Sequence, residues 1–410
     1  MNVRGLYADQ LDAGFLTDDF FQDPYSFYRT LHEHAPVYRS EKANAWLVCP
    51  FAEVEDALRN PRLLSSGRIA SSAARLPENV KIANATLLTC MNNMMSFRDP
   101  PDHTRLRRLV SKAFTANSVA KLESEIELIV NELLDNVAGE DSFDLVTTLS
   151  FDLPALVICR LLGIPRDRLR EVKRWADGVV SFVSSGIMTP DNAHTARLAV
   201  NEAGHYLDDL LVQRRAYPQE DVLTKLALAE GAGDALDRDE LVAMVILLFF
   251  AGFETTEGLI GNATIALLRN RDQFMELRQH PHLIDQVVEE CLRYDNSIHR
   301  QSRVASCDVE FCGQVIPRGE LIFLMIGAAN RDPTKFRNPD QFNAHRDDLT
   351  NVSFGQGIHF CLGAPLARLE TKVALRSLAM RMPNLKLLGP EPRFGSLLAV
   401  RKPEAVWVTR

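Results

Sequence analysis

The sequence predicts a mainly α-helical protein with a small β part, and three observations carry that prediction. Over residues 113–270 the apolar residues recur at helical spacing, broken by short polar turns such as Gly139-Glu-Asp-Ser142 and Ala232-Gly-Asp234. Over residues 303–323 the rhythm shortens to strands, with Val304, Val309, Phe311, Val315 and Ile316 around the turn residues Gly313 and Pro317-Arg-Gly319. Ala45–Val48 and residues 405–408 read as further strands, so the sheets are expected to join distant parts of the chain. No repeat, low-complexity tract or composition shift divides the 410 residues. A single domain over 1–410 is expected, β-rich near 35–50, 303–323 and 390–410, and helical at 100–295 and 363–383. Residues 64–97, rich in Ser, Ala and Asn, and residues 184–195 read as long loops of the kind that form lids over a substrate.

Apolar residues make up 46% of the chain and charged residues 24%, which excludes intrinsic disorder, collagen and a small disulfide scaffold. The net charge of −8 disfavours general affinity for nucleic acid or an anionic membrane. The seven cysteines are odd in number and scattered, without a Cys-x-x-Cys pair, as expected of a reduced, cytoplasmic protein. The first 28 residues include five aspartates and lack the basic start and apolar run of a signal peptide. The longest apolar run, residues 241–253, is shorter than the roughly 18 residues that argue for a membrane span, so no membrane anchor is expected.

The most informative segment is Phe354-Gly-Gln-Gly-Ile-His-Phe-Cys-Leu-Gly363, followed by Ala364-Pro365 and an amphipathic run to Met382. Pro365 suits a first helical turn, where its missing N–H costs nothing. Cys361 therefore lies just before a helix whose free N–H groups and dipole stabilise a thiolate. Gly355, Gly357 and Gly363 would let backbone approach something large and flat. A free cysteine taken alone is more commonly a buried packing residue. A dinucleotide fingerprint would need glycine where Phe360 stands, a zinc site would need more ligands than His359 and Cys361, and a cysteine nucleophile with His359 as base stays open.

The segment resembles the cysteine-ligand loop of the cytochrome P450 family, Phe-Gly-x-Gly-x-His-x-Cys-x-Gly, and every fixed position matches. The resemblance implies the P450 fold, with haem b (iron protoporphyrin IX) between a long central helix and the cysteine loop, and Cys361 as the metal ligand. It also implies Phe354 and Gly363 as part of the haem cradle. Three further stretches extend it. Asp237 and Glu240 form a capping-box start to a helical run reaching about Arg269, some 33 residues or roughly 50 Å at 1.5 Å each. At its middle stands Ala251-Gly-Phe-Glu-Thr-Thr256, where Ala251 and Thr255 share a face and Gly252 tolerates backbone distortion. That stretch is similar to the family's oxygen-activating motif, which gives Ala251 a place against the haem and makes Glu254 and Thr255 the catalytic pair. Glu290 and Arg293 match the family's Glu-x-x-Arg signature, with Phe342-Asn-Ala-His-Arg346 adding a second arginine, a trio that holds the fold. In Asp99-Pro-Pro-Asp-His-Thr-Arg-Leu-Arg-Arg108, His103 and Arg107 share one helical face, with Arg105, Arg108 and Lys112 opposite. By resemblance His103, Arg107, Arg303 and His359 bond the haem propionates, and the opposite basic face suits an acidic electron donor.

The implied function is a monooxygenase that inserts one oxygen atom of O2 into an apolar small-molecule substrate, by hydroxylation or epoxidation. By the same resemblance it tailors a secondary metabolite such as a polyketide, macrolide or peptide. The chain carries no flavin or iron–sulfur motif, so electrons are expected from ferredoxin and an NAD(P)H-dependent ferredoxin reductase. The alternatives are a peroxide-driven peroxygenase, against which Glu254 and Thr255 speak, and a catalytically silent haem-fold module. After Arg293 the family commonly runs Ser-Pro-Val, whereas this chain has Asn296-Ser-Ile-His-Arg-Gln-Ser302. By resemblance Ile298 takes the substrate-contacting position, and His299 or Arg300 either supplies a polar anchor in a pocket lined by Leu247, Ala251 and Leu397 or turns toward solvent or a haem propionate.

Overall fold

Strands form where the period-2 pattern predicts them, and they pair over long sequence distances. In this computed structural model, which describes residues 10–111, 114, 119–185, 187–228 and 236–410, the chain divides into two compact units. The first comprises Met1–Leu63, Glu123–Leu153 and Thr255–Arg410, and the second Leu64–Leu122 and Pro154–Glu254.

The first unit holds the sheets. β1 (Val37–Ser40), β2 (Ala45–Val48), β3 (Leu63–Leu64), β4 (Ser142–Asp144), β5 (Gln301–Ala305), β6 (Val309–Phe311), β7 (Gln314–Ile316), β8 (Leu321–Leu324), β9 (Lys386–Leu387) and β10 (Trp407–Thr409) are all short. The largest sheet has the order β1-β2-β8-β5-β3, another the order β4-β10-β9, and β6 pairs with β7 alone. β2 runs parallel to β8 with Trp46 opposite Ile322 and Val48 opposite Leu324, so residues near the start lie beside residues late in the chain. One face of this sheet packs against the helix Phe51–Arg59 through Val54, Ala57 and Leu58. Another cluster joins Leu47 and Phe323 to Phe15, Phe20, Tyr28 and Leu31 of the amino-terminal segment.

The second unit is helical. Residues 64–97, read as a loop, contain the helices Arg68–Ala73, Glu78–Ala83 and Ala85–Asn93 and the 3-10 turn Met95–Phe97. Helices of six to nine residues are too short to establish a visible 3.6 period, and their Ser and Asn content mimics a loop. The second presumed loop ends earlier than expected. Helix Pro190–Ala216 already begins at Pro190, closed by a reciprocal capping box of Thr189 and Asn192. Gly186, in that loop, and the turn Ala232-Gly-Asp234 lie outside the described residues.

The helix Arg238–Arg269 opens on the expected capping box, with the Glu240 N–H donating to Asp237 (2.8 Å) and the Asp237 N–H to Glu240 (3.2 Å). The division between the units falls inside it, between Glu254 and Thr255. By length and composition it is apolar enough to cross a membrane, which the 13-residue apolar run did not suggest, and 72% of its most apolar stretch is buried within the protein. Apolar character on all sides is what a buried core helix requires. Gly252 causes no distortion, since the helix is continuous. A Cβ there would stand 2.9 Å from the Ile158 side chain, so glycine serves a close approach.

The Glu290–Arg293 lock is present and complete. Arg293, on helix Ile284–Tyr294, is fully buried and donates to both Glu290 oxygens at 2.7 and 2.8 Å. Its remaining capacity goes to the carbonyls of Asn330 (2.9 Å), Pro339 (2.9 Å) and Gln341 (3.2 Å). Arg346 adds a bond to Glu290 at 3.4 Å, and the Asn343 N–H another at 2.8 Å. Burial pulls the Arg293 pKa below its ordinary value, opposed by Glu290. Arg293→Ala leaves the Glu290 carboxylate buried without its main partner, so we expect a loss of about 3–5 kcal/mol in unfolding free energy, measured by denaturant titration.

Candidate functional site

Burial sets the seven thiols apart, and only Cys307 and Cys361 are half-buried. Cys49, Cys90, Cys159 and Cys291 are buried, and burial pushes their thiols up, those of Cys90 and Cys159 to about 12. Cys312 is exposed, but partial burial and a hydrogen bond to Glu53 push it up to about 11. Cys361 is half-buried and sits three residues before helix Ala364–Arg381, whose N-cap is Gly363 and whose first turn carries Pro365. A loop bond from the Cys361 N–H to the Phe354 carbonyl (2.9 Å) holds the thiol at that helix start.

The glycines of the loop have separate tasks. Gly355 and Gly357 adopt φ of +69° and +66°, a left-handed backbone that favours glycine. At Gly357 a Cβ would also lie 3.2 Å from the Leu58 carbonyl, so this turn rests on the end of helix Phe51–Arg59. Only Gly363 stands beside the thiol, where a Cβ would be 4.0 Å from Sγ. Gly355 and Gly357 thus shape the turn, and Gly363 leaves room at sulfur. Phe354 lies under the Arg368 guanidinium, 4.5 Å from ring centre to Cζ, and Arg368 is paired to Glu289 at 2.5 and 3.1 Å. Arg368 was not singled out from the sequence, although its place one turn into the cysteine helix was a signal.

The other expected site residues fall into two groups by unit. In the first unit, Arg303 is buried on β5 and donates to the Ser302 carbonyl at 2.8 Å, and His359 ends the 3-10 turn Gly357–His359, half-buried. Thr255, Ile298 and Leu397 are half-buried, and Ile298 bridges to Val400. Arg300 is buried with its guanidinium 4.3 Å over the Phe323 ring, and burial pushes its pKa down to about 10. His299 does not offer a substrate anchor. It is buried in a polar network with Tyr28 (3.0 Å) and Asp295 (3.6 Å), which corrects that expectation.

In the second unit, His103 is buried and Arg107 half-buried on helix Asp102–Ser111. Leu247 and Glu254 are buried on the long helix, but Ala251 between them is exposed. An exposed alanine inside an otherwise buried helical stretch marks open space against its face. Arg105 pairs with Glu240, one bond at 3.2 Å, and so fastens its helix to the long helix rather than serving as a docking charge. Arg108 is exposed, and Lys112 lies outside the described residues.

Within each unit the residues suit haem-binding chemistry. In the first, a thiol at a helix start suits an iron ligand and the buried Arg303 guanidinium suits a propionate; in the second, the exposed Ala251 suits a flat ring and the buried His103 imidazole a propionate. The comparisons agree. The model of the family "Cytochrome P450" matches residues 263–381. The biotin biosynthesis cytochrome P450 of Bacillus subtilis is 36% identical over 96% of this chain and 98% of its own length. The 6-deoxyerythronolide B hydroxylase of Saccharopolyspora erythraea is 37% identical over 90% of this chain and 91% of its own. A crystal structure of P450BioI in complex with hexadec-9Z-enoic acid ligated acyl carrier protein matches with a TM-score of 0.89 at 35% identity, covering 96% of this chain and 100% of that one. With the cysteine loop, the buried Glu-x-x-Arg lock and these likenesses over nearly its whole length, the chain belongs to the cytochrome P450 family and is a haem-dependent monooxygenase.

Proposed function

We propose that this monooxygenase hydroxylates or epoxidises an apolar secondary metabolite such as a polyketide, macrolide or peptide. Haem b is the cofactor, and electrons come from ferredoxin and its NAD(P)H-dependent reductase. The observation that carries the reading is Cys361, a half-buried thiol held at a helix start by the Phe354 carbonyl. When bound, haem supplies activation of O2 and transfer of one oxygen atom to the substrate. Cys361 Sγ would hold its iron, and His103, Arg107, Arg303 and His359 would hold its propionates. The buried Glu254 carboxyl and the half-buried Thr255 hydroxyl are adjacent on the long helix. They would pass protons inward while the surrounding apolar residues keep bulk water out.

For the electron donor, Ile358 and Phe360 flank His359 with 51% and 37% of their surface exposed, an apolar approach close in sequence to the thiol. Exposed Arg108 on a chain of net charge −8 adds a basic group suited to an acidic ferredoxin. A cytoplasmic location is supported by seven free cysteines. The substrate class draws on the relatives: one is named for biotin biosynthesis, another for polyketide biosynthesis, and the structure in complex carries an acyl chain. By the family resemblance Leu247 and Ala251 on the long helix, and Ile298 and Leu397 in the other unit, would each contact the apolar substrate, with Arg300 as a polar anchor.

Cys361→His should abolish the thiolate-type spectrum of the reduced carbon monoxide complex, and retention of that spectrum would remove Cys361 as ligand. With NADPH and a surrogate ferredoxin system, Thr255→Ala should keep the haem spectrum but divert about 100-fold more electrons to peroxide or water per product formed, the lower end of the 10²–10⁴ range of general acid–base effects. For the anchor, hexadec-9-enoic acid should bind Arg300→Ala about 1.5–3 kcal/mol more weakly by spectral titration, the worth of a charged hydrogen bond. Its methyl ester should bind both proteins alike.

A further inference from the structure

We propose that Asp295 is a positioning residue for substrate recognition: its buried carboxylate clamps the segment carrying Ile298 to the segment carrying Leu397. The inference rests on the reading of Ile298 and Leu397 as pocket residues. The two segments meet on a very short ladder. The Arg401 N–H donates to the Ser297 carbonyl at 2.7 Å, the His299 N–H donates to the Ala399 carbonyl at 3.0 Å, and Ile298 bridges Val400. A pairing this short does not hold its register in water without added support.

The support converges on one oxygen. Asp295 Oδ1 accepts from the Tyr25 hydroxyl at 2.6 Å and from Arg401 Nε at 3.0 Å, and His299 Nε2 stands 3.6 Å away. Arg401 also donates to the carbonyls of Phe21 (2.8 Å) and Gln22 (3.2 Å), at the end of helix Asp18–Gln22, and lies 3.4 Å over the Phe394 ring. The His299 ring is held from the other side by the Tyr28 hydroxyl at 3.0 Å. His299 Nε2 faces the Asp295 carboxylate, which only accepts, and in the tautomer with its proton on Nε2 the Tyr28 hydroxyl donates to Nδ1.

Packing closes the remaining freedom. A Cβ at Gly327 would stand 2.8 Å from His299 Nδ1, and one at Gly258 would stand 2.8 Å from the Ser297 Cβ and 2.9 Å from the Arg401 carbonyl. Asn262 donates to that same carbonyl at 3.1 Å. Ser297 and His299 are thereby buried and fixed, while Ile298 between them and Leu397 on the facing segment stay half-buried. The pocket wall at these two side chains is set by a carboxylate three residues from Ile298 that does not itself touch substrate.

The test uses the haem-loaded protein and two probes, imidazole and 4-phenylimidazole, with dissociation constants read from the haem spectral shift. In Asp295→Asn the ion pair with Arg401 is lost and its hydrogen bond is weakened. The constant for 4-phenylimidazole should rise about tenfold while that for imidazole, too small to reach the wall, stays within about twofold. The carbon monoxide spectrum should be unchanged. Tyr25→Phe, which keeps the carboxylate and removes one donor, should move the same ratio by about threefold. Ile298→Trp should exclude 4-phenylimidazole and not imidazole. If Ile298→Trp changes the ratio and neither Asp295→Asn nor Tyr25→Phe does, the positioning role is overturned while the pocket reading stands. An unchanged ratio in Ile298→Trp overturns the pocket reading and the proposal with it. Should Asp295→Asn fail to fold, Tyr25→Phe alone decides, and an unchanged ratio there overturns the proposal.

Discussion

The structure turns on one buried ion pair. Two charges at Glu290 and Arg293 have no exposure to water, and taking them out of water costs several kcal/mol per ion before their attraction is counted. That cost is offset because nearly every donor and acceptor position is filled. The guanidinium reaches three backbone carbonyls between Asn330 and Gln341, and the carboxylate takes Arg346 and the Asn343 N–H as well. An irregular segment of backbone is thus held to a helix by hydrogen bonds rather than by a sheet. Asn330 continues the chain of contacts, its side chain bonding Ser353 at 2.8 Å and the Val352 N–H at 3.0 Å, next to Phe354. The cysteine loop is therefore fixed from its upstream side by a lock that does no chemistry.

The parts legible in the sequence share a physical property: their meaning is local. The cysteine loop, the capping box of the long helix and the Glu-x-x-Arg pair each consist of residues within ten positions of one another, and each folds as its spacing indicates. The mainly helical class with a few short strands was readable for the same reason. What stayed illegible depends on partners far away. Tyr25, Asp295 and Arg401 meet on one oxygen although hundreds of residues separate the first from the last. From sequence alone His299 looked available, because nothing nearby announces Tyr28. Gly252 invited a distortion, and only the position of Ile158 shows why glycine is needed. Arg105 looked like surface charge until Glu240 was found beside it.

Charge is used unevenly over the molecule. On the long helix the Glu254 carboxyl is buried. Around Asp295 charge is spent on geometry: burial alone would raise that carboxyl, and Arg401, His299 and Tyr25 overcome it and hold it ionised.

The parallel pairing of β2 with β8 bears on how the chain is made. Val48 has β1 as a neighbour as soon as it is synthesised, but its other neighbour, Leu324, comes late in the chain. At elongation rates of about 5–20 residues per second, the early hairpin waits roughly fifteen seconds to a minute beside an unfilled edge. During that time β2 offers unpaired backbone groups to any other strand in reach. Brevity is its protection, since a strand of four residues gives a competing chain little to hold. Production of intact enzyme in a cell is accordingly tied to the time taken to complete the chain as well as to the stability of the finished fold.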